Sequence, residues 1–171
     1  PGATDPDGAP LYPGLQRNLP RDELAKRKAA GQSFAIRLDM HRAIAAAHAK
    51  AGAAAFGFDE LDGETGVRRV PIDPARWGDV IIQRKEVPTS YHLSVVVDDA
   101  RQGVTLVTRG ADLRPATDVH RLLQILLDLP EPMYLHHPLL TGPDGRKLAK
   151  TLAATSLAEM RSAGLSPADI R

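Results

Sequence analysis

The residues best suited to chemistry lie near the end of the chain, in Gly145-Arg146-Lys147-Leu148-Ala149-Lys150-Thr151. Lys147 and Lys150 stand three apart, behind the turn-forming Pro143-Asp144-Gly145. Two ammonium groups on a glycine-hinged loop can close over a triphosphate. Lys presents a compact charge with three donors, which suits phosphate oxygens that shift during reaction. A K-x-x-K pair alone is more often solvated surface, so the weight falls on the block before it, residues 78 to 140. There Arg109 ends an apolar strand and precedes Gly110. Its guanidinium can grip a carboxylate with two N–H groups, or serve the scaffold as partner of Asp98, Asp99 or Asp112. Tyr91 opens a helix beside His92. Its phenol can bond a substrate amine or carboxylate, or it can pack and cap the core.

Other candidates carry less. Adjacent residues diverge on a helix, so Asp98 and Asp99 do not form a paired-carboxylate site; one is expected to pair with an Arg and one to be solvated. His136 and His137 lie on a strand and face opposite ways, which argues against two imidazoles on one metal. One of them can face a ligand pocket, although a satisfied or exposed His is the commoner outcome. His120 reads as structural and Trp77 as a packing anchor. No Ser/His/Asp nucleophile pattern, phosphate-binding glycine loop or aromatic-basic interleaving for RNA is present.

These residues need elements to position them. The 171 residues suffice for one domain or slightly more. The chain has 22 basic and 21 acidic residues, a balance that neither demands nor excludes nucleic acid. It contains no Cys, so it offers neither disulfides nor thiolate metal ligands. No apolar run approaches the about 20 residues that cross a bilayer. Residues 1 to 20, rich in Pro and Gly, read as loop or hairpin. Residues 21 to 30 read as a helix stopped by Gly31, and Ser33 to Asp39 as a strand. The Ala-rich stretch from Met40 to Ala55 reads as helix. Asp62-Gly63-Glu64 reads as a hairpin tip and Asp79 to Arg84 as a short buried strand. Val95-Val96-Val97 favours strand by propensity, but Leu93, Val96, Val97 and Ala100 fall at i, i+3, i+4 and i+7, which predicts a helix over Tyr91 to Ala100. A strand over Val104 to Arg109 follows. The next expected elements are an amphipathic helix over Thr117 to Leu129 and a strand over Met133 to Leu140. Ser156 to Ala163 should be a short helix before Gly164. Strand and helix alternate over residues 91 to 140, the pattern of an α/β domain with a parallel sheet. Ligands of such sheets sit beyond the carboxyl ends of the strands, where Arg109 and the loop 141 to 151 fall.

Several segments together resemble a known family: GDVIIQRKEVPTSYHLSVVVDDARQGVTLVTRGADL, T-x-x-H, P-x-Y-x-x-H-P-L-L and GRKLAKT. The combination resembles the catalytic domain of glutamyl-tRNA synthetases, which are class I aminoacyl-tRNA synthetases. The ending ATSLAEMRSAGLSPADIR is more similar to their shortened relatives, the glutamyl-queuosine tRNA(Asp) synthetases, which lack the anticodon-binding domain. The match is dense over residues 76 to 171 and thin over 17 to 75. It implies a Rossmann-like (HUP) α/β catalytic domain, here its C-terminal half, with an inserted α+β acceptor-binding region. Residues 1–75 would form that insertion with a degenerate zinc hairpin. Residues 76–152 would be the second half of the nucleotide-binding domain, and 153–171 the start of a helical stem-contact region.

The resemblance also implies a reaction. Glutamate is activated with ATP, with Mg2+ accompanying the nucleotide, and the glutamyl group passes to queuosine in tRNA(Asp). The alternatives are a synthetase charging tRNA(Glu) and a non-catalytic tRNA-binding module. Tyr91 and Arg109 match the family's glutamate-binding Tyr and Arg. Lys147, Leu148, Ala149, Lys150 and Thr151 match the KMSKS-type motif, Lys150 being its ATP-contacting lysine. Lys147 and Lys150 would act by steadying charge on the phosphates, without a covalent enzyme intermediate. A monomeric, cytoplasmic protein with no membrane association is expected.

There are three departures. The HIGH-type motif and an N-terminal substrate Arg and Glu have no counterpart in the 171 residues. The chain is therefore expected to be a piece of a longer protein and inactive alone. Tyr12 matches the zinc-site Tyr, but Gln16 stands where its last Cys would be, and an amide is a poor zinc ligand, so no zinc is expected. Ala149 removes a hydroxyl from the motif while leaving both lysines.

Overall fold

The computed structural model describes residues 2–62, 66–139, 141 and 156–170. Its contacts group Pro1–His137 as one unit and Pro138–Arg171 as another. Among the described residues the first unit holds four α-helices: α1 (Arg21–Ala29), α2 (Met40–Ala51), α3 (Tyr91–Gln102) and α4 (Thr117–Leu127). Its strands are β1 (Ile36–Arg37), β2 (Gly57–Asp62), β3 (Gly66–Pro71), β4 (Ile81–Gln83), β5 (Leu106–Gly110) and β6 (Met133–His137). The main sheet has the order β3-β2-β6-β5. β2 and β3 form an antiparallel hairpin, whereas β6 runs parallel to both β2 and β5. β1 and β4 pair antiparallel as a separate two-stranded ribbon.

The expected strand over 33 to 39 thus contracts to Ile36–Arg37, because β4 offers it only a short partner. The residues of β4 are half-buried rather than buried. The Ala-rich helix ends at Ala51, since Gly52 takes φ +72°, which a residue with a Cβ adopts only under strain; a 3-10 turn covers Ala53–Ala55. The start of α2 is held twice. The Asp39 carboxylate accepts from Arg42 N–H at 3.1 Å, and Asp79 Oδ1 accepts from Met40 N–H at 3.0 Å. Helical spacing prevails over β-branched propensity in α3, which turns Val96 into the core and stops at Gly103 in the left-handed conformation.

The amphipathic expectation for α4 needs correction. Every residue from Thr117 to Ile125 is buried, polar ones included, while Leu127 is exposed. The helix is central: it packs on α2, α3 and β2. Its polar side chains are buried because they have partners. Arg121 donates to Gly57 O at 3.0 Å and pairs with Glu131 at 2.8 Å. Gln124 donates to the Tyr134 hydroxyl at 3.0 Å, and Asp118 pairs with Arg76 at 2.7 Å. Val119, Leu122 and Leu123 join Met40, Ala47, Trp77 and Val96 in one apolar cluster. Trp77 is a packing anchor, as its sequence context implied.

In the second unit, α5 spans Leu157–Ser162 behind a capping box in which Ser156 and Glu159 exchange side-chain and backbone bonds. A 3-10 turn covers Pro167–Ile170. Among the described residues no helix is long and apolar enough to cross a membrane.

Candidate active site

The site forms where the parallel strands β5 and β6 end against the start of α4. Register places Arg109 beside His136. Arg109 Nε–H donates to His136 Nε2 at 3.2 Å, one terminal nitrogen donates to His120 Nδ1 at 3.1 Å, and the other donates to the Thr117 hydroxyl. The Tyr134 ring lies under the guanidinium, 5.2 Å from its carbon. None of the described carboxylates pairs with Arg109, so the scaffold alternatives Asp98, Asp99 and Asp112 are not its ion-pair partners. Three of its five N–H groups meet neutral acceptors, which leaves one on each terminal nitrogen. N–H donors with no anion of their own among the described residues are what a substrate carboxylate can take up.

Tyr91 reaches the same place from α3. Its ring meets His120 edge-on, with centroids 5.5 Å apart. Tyr91 is exposed and no described residue bonds its hydroxyl. Tyr91 and Arg109 thus both contact the His120 imidazole. Asp98 is exposed and Asp99 half-buried. Burial raises the Asp99 carboxyl, against a lowering influence from Arg109.

A polar chain supports the arginine from behind. An arginine only donates, so the His136 and His120 nitrogens that face it carry lone pairs. His136 Nδ1–H then donates to Glu60 Oε1 at 2.7 Å, and His120 Nε2–H donates to His92 Nδ1 at 3.2 Å. Glu60, on β2, is buried and accepts from Arg114 at 2.8 and 3.0 Å and from Arg68 at 2.6 Å. Those Arg114 bonds, aided by His136 and Arg68, outweigh burial and hold the Glu60 carboxyl down at about 2. Burial lowers His120 well below the ordinary imidazole range, and the Arg109 charge adds to this. Burial also lowers His136, in spite of its bond to Glu60. Both rings are therefore neutral at pH 7.

His120, Thr117 and Glu60 were not singled out as site residues from the sequence. His120 carried a signal in T-x-x-H, three residues after a Thr on a helix; Glu60 carried none, since its partners are distant in the chain. Lys147, Leu148, Ala149, Lys150 and Thr151 lie outside the described residues. Tyr12 is half-buried: its hydroxyl accepts from Gln16 N–H at 2.8 Å and its ring lies under Arg37, 4.4 Å away. Among the described residues no group of three or more His, Asp or Glu is placed to hold a metal ion.

A mixed sheet in which β6 runs parallel to β2 and β5 agrees with a family assignment from sequence. Residues 6–168 match the model for class I tRNA synthetases (E and Q), catalytic domain, and the chain belongs to that family. Among its relatives is the glutamyl-Q tRNA(Asp) synthetase of Rhodobacter capsulatus, 46% identical over 97% of this chain and 56% of the relative. The enzyme of that name from Nocardia farcinica is 40% identical over 98% of this chain and 49% of its own length. The chain therefore spans about half the length of the curated relatives it matches. In fold it is similar to a glutamate tRNA ligase from Elizabethkingia meningosepticum, solved in complex with its amino acid. The TM-score is 0.57 at 21% identity, over 91% of this chain and 28% of that one.

Proposed function

We propose that the protein carrying this chain activates L-glutamate with ATP and transfers it to queuosine in tRNA(Asp). The observation that carries the glutamate assignment is Arg109: a cation fixed by neutral acceptors, with two N–H groups to spare and no carboxylate partner among the described residues. Tyr91, whose ring packs against His120, would offer its phenol to a second polar group of the same substrate. Lys147 and Lys150 would hold the triphosphate, with Mg2+ on its oxygens, and Lys150 would contact ATP. Carboxylate activation of this kind needs charge stabilisation and alignment rather than an enzyme nucleophile.

The choice of tRNA(Asp) over tRNA(Glu) is supported by the names of the relatives from R. capsulatus and N. farcinica. In this reading residues 1–75 belong to the acceptor-binding insertion, residues 76–152 to the nucleotide-binding domain and 153–171 to a stem-contact region. The protein is read as a cytoplasmic monomer. Zinc has no part in the proposal, because Gln16 offers an amide where a thiolate would be required and the Tyr12 hydroxyl is engaged by Gln16 N–H.

Glutamate-dependent exchange of pyrophosphate into ATP by the full-length protein tests the activation step. Exchange is expected with glutamate and not with glutamine, and is expected to be lost in Arg109→Ala. Equal exchange with glutamine, or full activity in Arg109→Ala, would overturn the assignment.

A further inference from the structure

Arginine side chains are long and carry several rotatable bonds, so a substrate-binding guanidinium gains affinity when its fork is fixed beforehand. In this site Arg109 is braced on all three of its nitrogens. Two of the braces are imidazoles from different elements, His136 on β6 and His120 on α4. We propose that His136 and His120 are positioning residues for Arg109: each lends a ring lone pair to one edge of the guanidinium and so presets the fork that takes the substrate carboxylate. This rests on the assignment of Arg109 as the carboxylate-binding group.

The direction of every bond in the chain is consistent with that role. Glu60 can only accept from His136 Nδ1–H, so it locks the tautomer whose Nε2 faces Arg109. The Glu60 carboxylate is itself clamped by Arg114 and Arg68, and it remains ionised at any pH where His136 titrates. On the other side, His120 hands its Nε2–H to His92 and keeps Nδ1 for Arg109. The Tyr91 ring packs edge-on against His120, so one imidazole sets both groups that face the substrate.

The arrangement fails when an imidazole gains a proton. A protonated ring has no lone pair to offer, and it sets a second positive charge against the guanidinium. The charged groups that act on His136 are Glu60, which favours protonation, and Arg109 and Arg114, which oppose it. Arg109 and His92 act on His120, both against protonation. The Asp5 and Asp7 turn acts on His92, where it favours protonation but is outweighed by burial. Burial and the arginines prevail at His136 and His120, so both braces hold at neutral pH and give way only in acid.

Glutamate-dependent pyrophosphate exchange by the full-length protein, followed from pH 5 to 8, tests this in wild type, His136→Gln and His136→Leu. Gln can place an amide oxygen near the Nε2 position and does not titrate. His136→Leu is expected to raise the KM for glutamate by about tenfold to a hundredfold, the cost of a fork held about 1 Å out of place, while the KM for ATP stays unchanged. His136→Gln should recover most of that loss. It should also weaken the rise in glutamate KM that wild type shows in acid, since only the His120 brace can then gain a proton. An unchanged glutamate KM in His136→Leu, a parallel rise in both KM values, or an acid limb in His136→Gln identical to that of wild type would overturn the proposal.

The Arg109 Nε–H resonance supplies a readout that needs no substrate. It should exchange slowly with water in wild type and His136→Gln and quickly in His136→Leu. If wild type shows slow exchange at Nε–H but no glutamate turnover, the bracing stands and the glutamate assignment fails. Rapid exchange at Nε–H in wild type would overturn the bracing whatever the substrate.

Discussion

Glu60→Gln is the most informative stability test, because Glu60 ties the β2–β3 hairpin to the 3-10 turn at Arg114 and to His136 on β6. Glu60 is 3% exposed, and its carboxyl is held down at about 2 in place of its usual 4.5. At about 1.4 kcal/mol per pH unit, that displacement corresponds to about 3 kcal/mol of stability at pH 7. The folded pKa is the lower one. The contribution is therefore complete above the usual value of 4.5 and is lost as pH falls towards the folded value. Gln keeps an acceptor for His136 but removes the charge that faces Arg114 and Arg68. Those two arginines are partly exposed and regain water, which keeps the cost near the value above rather than at the higher cost of a stranded buried charge. A chain of this size loses about 2–4 °C per kcal/mol, so the thermal midpoint at pH 7 should fall by about 6–12 °C. Urea unfolding at pH 7 and pH 3 supplies the second arm. Wild type should lose stability between those values, and the difference between wild type and Glu60→Gln should shrink at pH 3. A variant whose midpoint stays within about 2 °C of wild type at pH 7, or a difference independent of pH, would refute the reasoning.

Three further outcomes are expected. Arg109→Lys keeps the charge but not the fork, and should lower kcat/KM for glutamate by about 10- to 150-fold, the worth of one charge-assisted hydrogen bond of about 1.5–3 kcal/mol, in pyrophosphate exchange by the full-length protein. Leu122 is fully buried at the centre of α4; Leu122→Ala should cost about 2–5 kcal/mol in urea denaturation. Asp79→Ala strips an acceptor from Met40 N–H and a partner from Arg17, and should cost about 1–2 kcal/mol. Burial raises the Asp79 carboxyl, but those two donors bring it below its ordinary value. Its contribution should accordingly be present above about pH 3.9 and fade as pH falls below that, as urea midpoints at pH 7 and pH 3 would show.

Much of the positioning frame was legible in the sequence because it rests on local signals. The spacing of Leu93, Val96, Val97 and Ala100 identified α3 in spite of its valines, and Gly103 ends it. Arg109 and Tyr91 stood out by their places at a strand end and a helix start. Their meeting around His120 could not be read, because it depends on packing between α3, α4 and β5. Burial of α4 on all sides was hidden for the same reason. Asp118, His120, Arg121 and Gln124 look like a solvent face until their partners Arg76, Arg109, Glu131 and Tyr134 are brought to them by tertiary structure. Glu60 shows the limit most clearly. A carboxylate in an alternating strand gives no sign that it will be enclosed by Arg114, 54 residues away, and by His136, 76 residues away.

The central claim is best tested by the fate of the activated glutamate. The full-length protein would be given radiolabelled glutamate and ATP, with queuosine-containing tRNA(Asp) and tRNA(Glu) offered separately. The account predicts label on tRNA(Asp) alone, dependent on queuosine and lost in Arg109→Ala. Label on tRNA(Glu), or label on tRNA(Asp) that survives Arg109→Ala, would contradict it.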